Sequence, residues 1–143
     1  GGGDLASFFY PLHAFAARLR RVHLMNRDAL VVIRRMMHLD SCLIYFDPPY
    51  TLEKRTRRDG YGAFEVTEEW HAEAAELLRR HAGYVVVSGY ASPLYERLYE
   101  DHGWRRVDRS FQGNSGSKRL ESLWLSPRTD REALPLLAYG GER

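Results

Sequence analysis

The chain has 143 residues, 44% of them hydrophobic and 28% charged, with a formal net charge of +2. That length supports one domain with a real core, the composition is that of a soluble globular protein, and so small a net charge does not by itself point to nucleic acid. No apolar run reaches the roughly 18 residues a membrane helix needs, no secretory leader is visible, and the single cysteine, Cys42, excludes an internal disulfide and fits a reduced, cytoplasmic setting.

The chain opens on "GGGD". Glycines this dense make a flexible stretch or a tight bend, so residues 1–11 are expected to be a flexible or truncated edge. A helix is expected from residue 12, because Leu12, Phe15, Ala16 and Leu19 fall on one apolar face and Pro11 suits a first turn. "VHLM", residues 22–25, reads as a short strand. Asp28 is placed to cap a helix over about 29–37.

Residues 42–46, "CLIYF", read as a strand buried on both faces. Asp47 then sits at its carboxyl end, the edge where open α/β sheets bind ligands. Pro48 and Pro49 fix φ, remove two backbone donors and hold the preceding residues extended. The product is a stiff bend carrying a carboxylate and the Tyr50 ring; a turn with no further role is an equal reading of these four residues alone.

Residues 51–66 look irregular. Thr67 caps a helix to about residue 80, with Trp70, Ala74, Leu77 and Leu78 on its apolar side and Gly83 as its stop. "YVVVSGY", residues 84–90, is a second buried strand. Ser92 and Pro93 open another helix, which Gly103 closes. Residues 104–111 alternate as a strand, "QGNSGSKR" reads as a loop, and residues 120–126 form a last strand paired in a hairpin. Residues 128–143 read as a tail. Strands alternating with helices predict an α/β fold, a mostly parallel sheet with helices on both faces and an antiparallel edge.

Some chemistries find no support in these residues. His71 and His81 stand ten apart on one helix and make no metal pair, and the histidines lack zinc spacing. Ser88 lies in "VSGY", which is not a nucleophile elbow. Tyr90 and Trp124 read as packing residues.

The motif "DPPY", residues 47–50, following an apolar strand, resembles the catalytic motif of amino-methylating DNA methyltransferases. Its surroundings extend the likeness: "NRDAL" stands about twenty residues before it, "YVVVSGY" and "SPLYERLYEDHGW" follow, and "KRLESLWLSP" closes the set. The ordered set, over roughly residues 12–127, resembles the catalytic part of the DNA adenine methylase family, the N6-adenine methyltransferases. The resemblance implies a class I, Rossmann-like methyltransferase sheet, S-adenosylmethionine as methyl donor, and double-stranded DNA as partner. By the same resemblance Asp47 and the Pro48 carbonyl accept hydrogen bonds from the adenine amino group within the turn that Pro49 stiffens. Tyr50 stacks on the flipped base, and Asp28 and Asp47 lie against the cofactor. A helix cap with no further role is the second reading of Asp28 from the sequence alone.

The chemistry implied is coherent. An exocyclic amine shares its lone pair with the ring, and acceptors for its hydrogens draw the nitrogen toward a tetrahedral form that attacks an electrophilic methyl. Positive charge then grows on nitrogen, so a fixed carboxylate gains strength in the transition state. The base is out of reach inside a duplex and must be flipped. Lys54, Arg55, Arg57 and Arg58 put four cations in five residues just after the motif. They are a candidate phosphate clamp as well as an ordinary solvated loop, and Lys118 and Arg119 are a weaker second candidate; such contacts position DNA without reading its sequence.

The chain departs from the family in three respects. The glycine-rich, Phe-containing cofactor loop, the acidic residue after the second strand and the helical target-recognition region are not found. The expectation is therefore a missing N-terminal segment or a companion chain, and a sheet with exposed apolar edges. Two other readings remain at this point: amino methylation of cytosine N4 or of RNA adenine, and a non-catalytic DNA-binding or assembly protein that keeps the fold.

Overall fold

The computed structural model describes residues 13–49, 66–112 and 118–131. Residues 13–19 are helical (α1), followed by α2 (Ala29–Met36), β1 (Leu43–Phe46), α3 (Glu68–Arg79), β2 (Tyr84–Gly89), α4 (Pro93–Leu98), a 3-10 turn (Glu100–His102), β3 (Arg105–Gln112) and β4 (Lys118–Leu125). The strands form one sheet in the order β1-β2-β4-β3. β1 and β2 are parallel, with α3 in the crossover between them. β4 runs antiparallel to both β2 and β3. This is a mixed α/β fold with a four-stranded sheet and flanking helices, and the antiparallel hairpin sits where the sequence places it.

Local chemistry starts α2, α3 and α4. Asp28 Oδ1 accepts from the backbone N–H of Leu30 at 2.8 Å and of Val31 at 3.3 Å, capping α2. Thr67 Oγ1 accepts from Trp70 N at 3.3 Å, and Glu68 and Glu69 place negative charge in the first turn of α3. Ser92 Oγ accepts from Tyr95 N at 3.2 Å, with Pro93 opening α4. Gly103 closes the following turn at φ +79°, a left-handed conformation costly for any residue with a Cβ.

One core holds these elements together. Phe46, Val85, Val87 and Trp124 project from the sheet into a cluster with Leu30 and Ile33 of α2, Ala74, Ala75 and Leu78 of α3, and Leu94 and Tyr95 of α4. Trp124 is fully buried, and its indole N–H donates to Glu100 Oε1 at 3.1 Å. The described helices α2, α3 and α4 thus share one face of the sheet. On the other face Leu43 is 58% and Tyr45 60% exposed.

Several expectations need correcting. Among the described residues β1 is buried on one face only, because the described helices packed on it lie on the Ile44 and Phe46 side. Residues 22–25 form no strand: Val22, Leu24 and Met25 are exposed, and a strand without a ladder partner leaves its backbone groups to water. The apolar stripe of α1 is likewise uncovered, with Phe15 and Leu19 exposed. Gly83 does not stop α3, which ends at Arg79 with Arg80 in a right-handed conformation. Gly83 is instead a close-approach position: a Cβ there would lie 2.3 Å from the Cys42 carbonyl oxygen and 2.7 Å from that of Leu39. Lys118 and Arg119 belong to β4 rather than to a loop, since the hairpin ladder extends to the pairs Phe111↔Arg119 and Gln112↔Lys118.

The fold also runs past residue 127. Residues 127–131 are helical and dock on β2 where β4 has ended. Thr129 Oγ1 accepts from Val85 N at 2.9 Å and donates to Val85 O at 3.1 Å, while Ser126 N donates to the same carbonyl at 3.0 Å. These bonds satisfy a buried strand segment that has lost its neighbour.

Candidate active site

β1 delivers Asp47 to the carboxyl end of the parallel pair, and Pro48 and Pro49 carry the chain away from it. Pro48 is buried, Pro49 half-buried and Asp47 exposed, so the turn is anchored while its carboxylate faces out. The register of the pair ends at Phe46↔Val87, which makes Ser88 the lateral neighbour of Asp47. Side chains of laterally paired residues point to the same face. Ser88 Oγ accordingly donates to Asp47 Oδ1 at 2.7 Å, and lies 3.4 Å from the Phe46 carbonyl oxygen. Ser88 is itself buried.

A cleft of about 130 Å³ opens beside this pair, walled by Tyr45, Ser88, Gly89, Arg109 and Glu121 among others. Gly89 admits no side chain, since a Cβ would sit 2.5 Å from the Tyr95 ring. Arg109 and Glu121 face each other across the β3–β4 ladder and bring one charge of each sign to the wall.

Behind the turn stands His71. It is fully buried on α3, edge-on to Trp70 at 5.4 Å and to Tyr95 at 5.7 Å between ring centroids. Its Nδ1 lies 3.4 Å from Tyr95 Oη, and its Nε2 has no hydrogen-bond partner among the described residues. Burial lowers the His71 pKa, and the nearby Pro49 carbonyl opposes that shift. Trp70 stacks on Phe46 at 5.9 Å, so the strand that ends in Asp47 is braced by the same helix.

The structure therefore brings Asp47, Pro48 and Pro49 to one turn next to a cleft, with only Asp47 of the three exposed. Asp28 lies apart from the cleft wall, at the exposed start of α2, where its Oδ1 serves as a cap. Lys118 and Arg119 are placed by their backbone at the start of β4. Tyr50, Lys54, Arg55, Arg57 and Arg58 lie outside the described residues.

Sequence reasoning did not single out Ser88 and His71 for this site. His71 shares a helical stripe with Ala74, Ala75 and Leu78, a spacing that is the available signal for its burial but was not used for it. Ser88 was a polar residue inside an apolar strand, but its partner depended on a register that no local pattern encodes. A scan against protein-family models and a search of curated proteins both find no match to this chain.

Proposed function

We propose that this protein is an S-adenosylmethionine-dependent methyltransferase acting on the amino group of adenine in double-stranded DNA. The observation that carries the reading is the exposed Asp47 carboxylate at the carboxyl end of a parallel pair, running directly into Pro48 and Pro49. The mixed α/β sheet, the parallel β1–β2 crossover and the antiparallel hairpin at its edge are consistent with the second part of a class I methyltransferase sheet.

The described residues fit the reacting end of the cofactor better than the rest of it. Asp47 is an open acceptor, and Asp28 uses one oxygen for its cap. When bound, S-adenosylmethionine supplies an electrophilic methyl group. The protein's work is to present the amine to it. Asp47 accepts one amine hydrogen and the Pro48 carbonyl the other, which frees the nitrogen lone pair. The carboxylate then stabilises the positive charge that grows on nitrogen. The two prolines keep both acceptors in place, where small displacements are costly in rate. Tyr50 offers a stacking surface for the flipped base, worth about 1–3 kcal/mol. Lys54, Arg55, Arg57 and Arg58 supply the charge density for phosphate contacts.

The test is single-turnover transfer of labelled methyl from S-adenosylmethionine to duplex DNA, using the protein expressed from its full reading frame. Label is expected in N6-methyladenine. Asp47→Ala should lower the transfer rate by about 10²–10³-fold, the cost of removing a preorganised electrostatic contact. Cofactor affinity, measured separately, should fall far less than the transfer rate. A near-normal rate in Asp47→Ala overturns the mechanism, and label recovered in cytosine moves the activity to N4.

A further inference from the structure

We infer that Ser88 is a positioning residue that clamps the Asp47 carboxylate, leaving its second oxygen as the acceptor presented to substrate. The inference rests on the proposed role of Asp47 and names the group that orients it.

Asp47 is exposed at a strand end, where a short side chain with two χ angles ordinarily samples several rotamers. Its Oδ1 receives the Ser88 hydroxyl at 2.7 Å, within the range of a charge-assisted O–H···O⁻ bond. Ser88 has only one proton to give. The Phe46 carbonyl, at 3.4 Å, is the longer and weaker alternative, so the proton goes to the carboxylate. The donor is well fixed. Ser88 is 8% exposed, in the middle of the sheet, on a strand with neighbours on both sides. Its place beside Asp47 follows from the parallel register, Phe46↔Val87 being the preceding pair.

A carboxylate offers about four acceptor positions on two oxygens. With Oδ1 held from the protein side, an amine approaching from solvent meets Oδ2. The clamp thereby fixes both which oxygen accepts and where it stands, the condition under which an electrostatic contact favours a transition state. A purely structural serine satisfying its own hydroxyl has no need of an exposed carboxylate when the Phe46 carbonyl is at hand.

The experiment compares Ser88→Ala and Ser88→Thr in the full-length protein. Threonine keeps the hydroxyl, suits a strand, and has the adjoining cleft for its methyl group. Ser88→Ala should lower the single-turnover transfer rate by about 10–100-fold, the range for losing a hydrogen bond to a charged group. Cofactor and DNA affinity should hold, and Ser88→Thr should recover most of the rate. A second readout needs no activity: side-chain J couplings of Asp47 should report one χ1 rotamer in the parent protein and averaging in Ser88→Ala, with the amide spectrum otherwise preserved. A parent-like rate in Ser88→Ala, or equal loss in both variants, overturns the clamp. If the parent protein transfers no methyl group, the functional reading fails, and the couplings still decide: averaging already present in the parent protein overturns the clamp.

Discussion

His71 ties the turn at Asp47 to the pH dependence of the fold. Its imidazole is fully buried, and desolvation lowers its pKa below the ordinary 6.5, against an opposing pull from the Pro49 carbonyl. The unfolded chain therefore takes up a proton that the folded chain resists. Stability should fall as the pH drops from 6.5 toward the lowered value, by at most about 1.4 kcal/mol per pH unit from this one group, and level off below it. His71→Phe keeps a ring against Trp70 and Tyr95 and removes the titration. The difference in urea midpoint between parent and variant, followed from pH 7.5 to 5, should change across this window. A constant difference would mean that His71 carries no such linkage. At this scale the sequence was informative where chemistry is local: Asp28, Thr67 and Ser92 each cap the helix they precede. It was silent on Ser88, whose partner lies 41 residues away in the chain.

Among the elements, the join between α3 and β2 departs most from its sequence reading. Gly83 looked like a helix stop, a role that requires a left-handed φ. It has none, and its missing Cβ instead lets β2 start against the Cys42 and Leu39 carbonyls. Tyr84 N donates to Cys42 O at 2.9 Å and Ala82 N to Met37 O at 2.8 Å, so this approach sets the start of the β1–β2 register. Gly83→Ala should destabilise the protein by about 1–3 kcal/mol, the usual cost of overpacking, because backbone atoms cannot swing away. A chemical denaturation curve checks it, and a neutral result would show that the β2 start shifts freely. The same register governs the site, since it sets Ser88 beside Asp47. A change at Gly83 is thus expected to reach the candidate active site from outside it.

For the molecule as a whole, the described sheet has an edge strand at each end, β3 and β1, and the two differ in charge. β3 carries Arg105, Arg106, Asp108 and Arg109, whereas β1, which ends the order on the other side, has no strand on its outer edge among the described residues. That edge carries Leu43 and Tyr45, both more than half exposed, with no lysine or bulge to discourage pairing. Self-association through it is the expected consequence. Leu43→Lys should reduce the association while changing stability by no more than about 0.5 kcal/mol, as for other exposed positions. Sedimentation velocity across a concentration series measures this, and unchanged association in the variant would place the contact elsewhere.

The sequence by itself determined the local features: the helix caps, the two apolar strands, the proline-stiffened turn after Asp47, the left-handed Gly103 and the terminal hairpin. Each depends on residues within a few positions of one another, where propensity and periodicity act directly. Tertiary structure alone decided which face of β1 is covered, that residues 22–25 stay out of the sheet, that Gly83 serves packing, that Lys118 and Arg119 join β4, and that Ser88 meets Asp47. These depend on strand register and on which surfaces find a neighbour, and both are set by contacts between segments tens of residues apart in the chain.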